Sequence, residues 1–333
     1  MRRQVGGFIL PLTFWILAAV TVVAVYFAER VQRSLQLAES RQQLNDAQIA
    51  LSNARAELLL RLGTQPMAPC GMGALPNCVA LDNRPYALES TVLQLQDERG
   101  LFNLNQSDDL QLDRLLATYQ VPPDRRANLI DTLRDYIDED SLKRLNGAES
   151  LEYRSRGLPP PRNQRLLTPL ELKSVDGWAD TAALWKTTPI TELVSVGSST
   201  GINPNTAAVQ VLQALPGVTP EVAAAIAERR RLDPVSAALV DRMAGGGLMQ
   251  LPPLVIAFPA DTVRVTQSVP GLPWVHRYNV LLTPTDPVAP WQVVYFHRLE
   301  KKVGPESAAN FQPPAKLPPR VVLPATPALP ATP

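Results

Sequence analysis

The chain has 333 residues, and its 32 Lys and Arg residues nearly balance its 31 Asp and Glu residues, for a formal net charge of +1. This length suits two domains of ordinary size, and so small a charge gives no electrostatic support for bulk binding of nucleic acid. The two histidines, His276 and His297, lie far from both cysteines, which argues against a four-ligand zinc site. Neither histidine has a Ser or Cys partner in a recognised catalytic arrangement, so we predict that the chain is not an enzyme.

The N-terminal segment predicts a membrane anchor. Residues Phe8–Ala28 form a run of 21 residues without a charge, roughly 31 Å long as a helix and able to cross a bilayer. Arg2 and Arg3 precede the run, so the positive-inside rule keeps the N-terminus in the cytoplasm and sends the body across the membrane. The run is longer than the apolar region of an ordinary signal peptide. A plain anchor and a cleaved signal peptide are the alternatives.

The junction between the basic leader and the apolar run reads Gly6-Gly7-Phe8. It resembles the processing site of type IV prepilin-like proteins. This resemblance implies that residues 1–7 are a leader, that a prepilin peptidase cleaves between Gly7 and Phe8, and that Phe8 is N-methylated. Counted from Phe8, the fifth residue is Leu12, where most pilin-like proteins have a glutamate.

Helix-forming residues continue after the anchor to Leu62, and Gly63 and Pro66 then signal a stop. Apolar residues recur at steps of three and four along this segment, which places them on one face: Leu44, Ala47, Leu51, Ala54, Leu58 and Leu62. We predict one helix over residues 8–62, with residues 8–28 in the membrane and the second half packed on a folded body. A coiled coil is the alternative explanation of the stripe.

The body has strand patterns on either side of a helical region. Ser90–Gln96 alternates in a strand-like way, and three later segments do the same: Thr262–Val269, Tyr278–Leu282 and Gln292–Leu299. The simplest topology is an α+β fold in which the long helix packs on an antiparallel sheet. Residues 63–102 and 250–303 would form this sheet domain, and residues 103–249 an all-helical domain inserted in it.

Two further segments flank the sheet pattern. Cys70 and Cys78 lie in a loop predicted over Pro66–Asn83, and in a translocated body such a pair predicts a local disulfide. Residues 304–333 contain nine prolines, and we predict an extended or disordered tail there.

The helical region contains a weak internal repeat. Asn103-Leu104-Asn105 is matched 100 residues later by Asn203-Pro204-Asn205, and each triplet precedes a helix, a proline turn and a second helix. The pattern predicts two helical hairpins. The turn Leu215–Val218 resembles a helix-hairpin-helix turn, whose backbone amides can bind phosphate. The near-zero net charge and the absence of lysine around the turn favour a packing module over a DNA-binding one.

Four carboxylates, Asp135, Asp138, Asp140 and Glu149, lie within fifteen residues at a predicted helix end and loop. Such oxygen ligands suit Ca²⁺. The segment is not an EF-hand, because the sixth position counted from Asp138 is Lys143, where the EF-hand loop requires a glycine. From spacing alone, a solvated acidic loop is favoured over a metal site.

Taken together in this order, the motifs resemble the K-type minor pseudopilins of bacterial type II secretion, over roughly residues 1–300. The resemblance rests on Gly7-Phe8 and on the segments 97–105, 135–140, 147–153, 160–172 and 202–207. Two departures are Tyr136, where the family usually has tryptophan, and the proline-rich tail.

The resemblance implies a type IV pilin-like fold with a large helical domain inserted in the sheet. It implies a single-pass protein of the inner membrane with its body in the periplasm, at the tip of a pseudopilus beside I-type and J-type minor pseudopilins. The implied function is to initiate assembly and to aid export of folded proteins across the outer membrane. Calcium would bind at Asp138, Asp140 and Glu149, and by extension at Asp135. A minor pilin of a type IV pilus and a membrane-anchored DNA-uptake protein are the two other candidate functions.

Overall fold

A computed structural model describes residues 9–249, 253–301 and 314–319. The chain divides into two compact units, one up to Asn53 and the other from Ala54 onward. Helix α1 runs over Ile9–Thr64, 56 residues. The prediction of one long N-terminal helix is therefore confirmed for the described part, while Phe8 lies outside it.

The first unit contains the apolar part of α1. In the described part of the chain, α1 is the one helix long and apolar enough to cross a membrane, with a mean hydropathy of 2.1 in its most apolar stretch. Leu12, Phe14 and Trp15 expose more than half of their side-chain surface, as lipid-facing residues do. This helix is consistent with a single-pass membrane anchor.

A six-stranded sheet forms one part of the second unit. Its strands are β3 (Asp82–Leu88), β4 (Thr91–Asp97), β7 (Thr262–Ser268), β8 (Trp274–Leu282), β9 (Trp291–Glu300) and β10 (Ala315–Lys316). The order is β10-β3-β4-β7-β8-β9, antiparallel except for the β10–β3 pair. Leu58 and Leu62 of α1 pack against Leu95, Val265 and Val280 of this sheet. A small hairpin of β1 (Met67–Ala68) and β2 (Gly71–Met72) precedes it.

Two neighbouring strands at one edge of the sheet, β10 and β3, were not predicted from the sequence. Strand β3 was not predicted, because Pro85 interrupts its sequence pattern. Its backbone is also irregular, since Asn83 is left-handed with φ of 67°. Within the predicted tail, Ala315–Lys316 form the edge strand β10, so this part is extended, as one of the two predicted alternatives, and is ordered against the sheet. The Leu317 amide donates to the Ala87 carbonyl at 2.9 Å, and the Leu317 side chain is buried in the core. The rest of the predicted tail lies outside the described residues.

The insert between β4 and β7 is mostly helical and has a hydrophobic core of its own. Its helices are α2 (Asp109–Thr118), α3 (Pro123–Ile137), α4 (Ser150–Ser155), α5 (Val209–Leu212), α6 (Pro220–Leu232) and α7 (Ala237–Met243). Leu112, Leu133, Trp178, Leu212 and Ile226 are fully buried in one cluster. The insert is not all-helical, because β5 (Phe102–Asn103) pairs in parallel with β6 (Val194–Ser195).

The predicted repeat is visible in the hydrogen bonds of the insert. The side-chain oxygens of Asn103 and Asn203 accept from the backbone amides of Asn105 and Asn205, at 3.0 and 3.1 Å. The Asn105 side chain binds the backbone of Leu166 and Val196. The Asn205 side chain likewise binds both backbone groups of Val235. Each triplet leads into a helical pair, α2–α3 or α5–α6. Two helical pairs therefore lie where the two hairpins were predicted.

A buried carboxylate joins the insert to the sheet. Asp97, at the end of β4, is fully buried and accepts four hydrogen bonds. The donors are the amides of Arg99 (3.1 Å) and Ala260 (2.8 Å), the Asn203 side chain (2.8 Å) and the Thr206 hydroxyl (2.7 Å). The Arg99 amide lies just after β4 and the Ala260 amide just before β7, whereas Asn203 and Thr206 belong to the second repeat. Asp97 therefore fixes the second repeat to the strands where the insert leaves the sheet.

An ion pair forms a second connection between insert and sheet. Glu192 of the insert accepts two hydrogen bonds from the Arg277 guanidinium of β8, both at 2.8 Å. The buried Arg264 of β7 donates to the Glu192 carbonyl at 2.7 Å. Such two-pronged pairing fixes orientation as well as distance.

Candidate functional site

The acidic residues lie between the end of α3 and the start of α4. Asp135 is buried in the last turn of α3, and the Arg144 amide donates to both of its carboxylate oxygens at 3.2 Å. A Cβ added at Gly147 would lie only 1.9 Å from Asp135 Oδ2, so a side chain at position 147 would displace this carboxylate. The loop backbone is thus closed tightly around Asp135.

Glu149 and Asp138 have buried carboxylate oxygens without hydrogen-bond partners among the described residues. Glu149 is 6% exposed, and neither of its carboxylate oxygens has a hydrogen-bond partner among the described residues. The same holds for Asp138 Oδ1. Buried polar atoms are almost always paired in native proteins, so unpaired ones point to a ligand or an ion. Three such oxygens lie at the two ends of one loop.

The carboxylates also raise one another's pKa. Burial raises the pKa of Asp135, Asp138 and Glu149, and the negative charges of neighbouring carboxylates raise each of them further. Without a cation, the ionised forms are therefore disfavoured in the folded protein.

Asp140 completes the predicted set in a different environment. Its side chain is exposed and accepts from the Leu142 amide at 2.7 Å. The Asp140 carbonyl accepts from the side chain of Asn163, whose own Oδ1 is buried without a partner in the described part of the chain. Asn163 has a left-handed backbone, with φ of 51°. Sequence analysis placed Asn163 in a family motif but gave it no role, since an amide oxygen becomes a candidate ligand only through its position.

The donor set suits Ca²⁺ in its chemistry, because carboxylate and amide oxygens are hard ligands. The arrangement is not a complete cage: among the described residues, no three His, Cys, Asp or Glu side chains converge at metal-binding distance. Asp138, Glu149 and Asn163 supply the unpaired oxygens that a cation would need.

Of the two other predicted sites, the structure describes the disulfide but not the cleavage site. Gly7 and Phe8, the predicted cleavage and methylation site, lie outside the described residues. Cys70 and Cys78 are joined by a disulfide with their Cα atoms 6.2 Å apart. This bond closes the disulfide loop, residues 70–78, which contains β2.

The second hairpin offers little to a phosphate. The Thr219 hydroxyl accepts from the Val222 amide at the start of α6, and Glu221 places a carboxylate in the same first turn. Arg230 points inward and donates to the carbonyls of Pro204 and Ala207, at 2.8 and 2.5 Å. An N-terminus that is already capped and carries a carboxylate disfavours an anion. This geometry favours the packing module over the DNA-binding alternative.

Both histidines lie in strands, as ordinary half-buried residues. His276 stacks on Trp274 and meets the edge of Phe296, with ring centroids 4.7 and 4.8 Å apart. Burial lowers the pKa of His276 and of His297, which favours their neutral forms.

Comparison with protein families gives a match to the first domain of protein K of the type II secretion system, over residues 91–190. Residues 91–190 are therefore similar to the first domain of type II secretion protein K. The resemblance to the K-type minor pseudopilins is thereby confirmed over the segment that holds α2, α3, α4 and the acidic cluster. The match is to a secretion-system component and not to a pilus protein.

Comparison with solved structures gives a similar fold. A chain in the crystal structure of the GspK-GspI-GspJ complex from the enterotoxigenic Escherichia coli type 2 secretion system matches with a TM-score of 0.55. The two chains are 20% identical, and the match covers 79% of this chain and 99% of that one. It confirms the pilin-like α+β fold. Comparison with curated protein sequences finds no match.

Proposed function

We propose that this protein is the K-type minor pseudopilin at the tip of a type II secretion pseudopilus, where it initiates assembly and aids export of folded proteins. The match of residues 91–190 to protein K carries the proposal. The proposed role is structural, without catalysis. The body would lie in the periplasm, held to the inner membrane by the apolar part of α1.

We infer that its partners are the I-type and J-type minor pseudopilins. The support is the shared fold with a chain of the GspK-GspI-GspJ complex. Ca²⁺ bound through Asp138, Glu149 and Asn163, with Asp140 and Asp135 beside them, would hold the loop between α3 and α4. The unpaired buried oxygens support this assignment.

The tip position follows from two features that hinder stacking of a further subunit. Leu12 offers no carboxylate to pair with the N-terminal amine of a neighbouring subunit, and a carboxylate at that membrane depth is costly without such a partner. The insert, residues 98–261 between β4 and β7, adds bulk that an ordinary shaft subunit does not need.

Gold labelling of the protein in assembled pseudopili should give one label at one end of each fibre. Leu12→Glu should not turn the protein into a shaft subunit, because the insert still blocks stacking. Label distributed along the shaft would refute the tip model. Labelling of type IV pili, with no label on pseudopili, would favour the pilus alternative instead.

Processing gives an independent prediction. Because Gly7-Phe8 joins the basic leader to the apolar run, the mature chain should begin at Phe8 with a methylated amine. Mass spectrometry of the protein purified from membranes checks both features. A Gly7→Ala variant should keep its leader, and an intact leader on a functional wild-type protein would contradict the assignment.

A further inference from the structure

An apolar cavity of about 490 Å³ lies between the disulfide loop and the connection from α6 to α7. One wall is formed by Leu75 of this loop with Ala68 and Pro69 just before it, and the other by Pro234 and Val235 of the connection with Ala237 at the start of α7. Cavities of this size commonly hold small ligands or parts of a peptide. Among the described lining residues Asp233 is the one charged side chain, so the chemistry favours an apolar occupant over an anion or a metal ion.

Both walls of the cavity are held in place. The Cys70–Cys78 disulfide closes one wall, and the paired backbone groups of Met72 and Val79 join it at 2.9 and 2.8 Å. The other wall is fixed where Asn205 binds both backbone groups of Val235, at 2.8 and 3.1 Å. The cavity is therefore preformed, and an occupant need not order it on binding.

The described chain ends beside the last turn of α1. The Pro318 carbonyl accepts from the Arg61 guanidinium at 2.5 Å. Arg61 lies in the last turn of α1, and the chain runs directly from there into Ala68 of the cavity wall. Six residues lie between Arg61 and Ala68, so the two Cα atoms are at most about 25 Å apart. Residues 320–333, as a polyproline helix, would extend about 43 Å, which is enough to reach the cavity.

The composition of residues 320–333 matches the cavity. The sequence RVVLPATPALPATP has no acidic residue, and its one charge, Arg320, is opposite in sign to Asp233. Its side chains are chiefly Val, Leu, Ala and Pro. A proline-rich segment is already extended before binding, so it loses little conformational entropy on docking.

We propose that residues 320–333 bind in this cavity of the same chain, with Leu323 and Leu329 against its apolar walls. The tail then covers an apolar surface that would otherwise be exposed. It also reserves the cavity for extended Ala-, Leu- and Pro-rich segments, since tethering gives the tail a high effective concentration against any segment offered by another chain.

A labelled peptide of residues 320–333 tests the proposal on the full chain in detergent micelles. Fluorescence anisotropy should show binding to a chain that stops after Pro319, and at least tenfold weaker binding to the intact chain, whose own tail competes. Leu75→Glu in the shortened chain should weaken peptide binding at least tenfold. Leu110→Glu, at a comparably exposed leucine on α2, should leave it unchanged.

Further results separate the proposal from its rivals. A peptide with Leu323→Asp and Leu329→Asp should not bind, and circular dichroism should show that both chain variants are folded. Absence of binding to the shortened chain would overturn the proposal, as would binding that Leu75→Glu leaves intact. Dimers of the intact chain that disappear on removal of residues 320–333 would also overturn it, because the cavity would then hold the tail of a second copy.

Discussion

Replacing Asp97 by Ala should lower the free energy of unfolding of the body, residues 29–333, by about 3–5 kcal/mol. The carboxylate is fully buried and is the common acceptor for four donors. Alanine would leave these donors buried without an acceptor, and each buried unpaired group costs about 1–3 kcal/mol before relaxation. The lost hydrogen bonds all lie at the junction between the sheet and the insert.

Urea unfolding followed by circular dichroism and tryptophan fluorescence checks this prediction. The matched control is Asp180→Ala, at an exposed aspartate of the same insert, which should change the free energy of unfolding by less than about 0.5 kcal/mol. Trp178 reports on the insert core, and far-UV dichroism on the whole body. If Asp97→Ala unfolds at the wild-type urea concentration, the four hydrogen bonds do not join the two parts.

The elements that sequence analysis predicted are those whose pattern is local. The uncharged run that begins α1 and the alternation in β4, β7 and β9 each reflect one environment repeated along a short segment. The Asn-X-Asn triplets were also visible, because each one sets up hydrogen bonds within its own turn. Local patterns therefore sufficed for the architecture of helix, sheet and insert.

The elements that sequence analysis did not predict depend on contacts between residues far apart in the chain. Strand β10 exists because Ala315 pairs with Tyr86, more than two hundred residues earlier. Strand β3 contains a proline and forms through its pairing with β4. The same limit applies to the acidic cluster: its carboxylates were found by spacing, whereas Asn163 joins them only through a chain reversal. Propensity alone carries no information about such pairings.

Calcium should raise the melting temperature of the body by about 5–10 °C at a hundredfold excess over its dissociation constant. The ion would bind the native loop between α3 and α4 and supply partners for the unpaired oxygens of Asp138 and Glu149. The double variant Asp138→Asn, Glu149→Gln should lose this shift. It should also be more stable than the wild type without calcium, because it removes two mutually repelling charges.

The pH dependence gives this prediction a second, independent check. A carboxyl whose pKa is higher in the folded than in the unfolded state binds more protons when folded, so its contribution to stability is fully present below the unfolded pKa, about 4. That contribution is lost as the pH rises through the raised native value. Burial and neighbouring charges raise the pKa of Asp135, Asp138 and Glu149.

In calcium-free buffer, lowering the pH from 7.5 to 5 should therefore raise the melting temperature of the wild type relative to the double variant. The calcium-induced shift should be smaller at pH 5, since protons compete with the ion for the same oxygens. Differential scanning fluorimetry of both proteins at both pH values measures this. The control pair Asp124→Asn, Glu228→Gln, at exposed positions on α3 and α6, should keep the wild-type response. A wild-type melting temperature indifferent to calcium at pH 7.5 would assign the cluster to a solvated acidic loop.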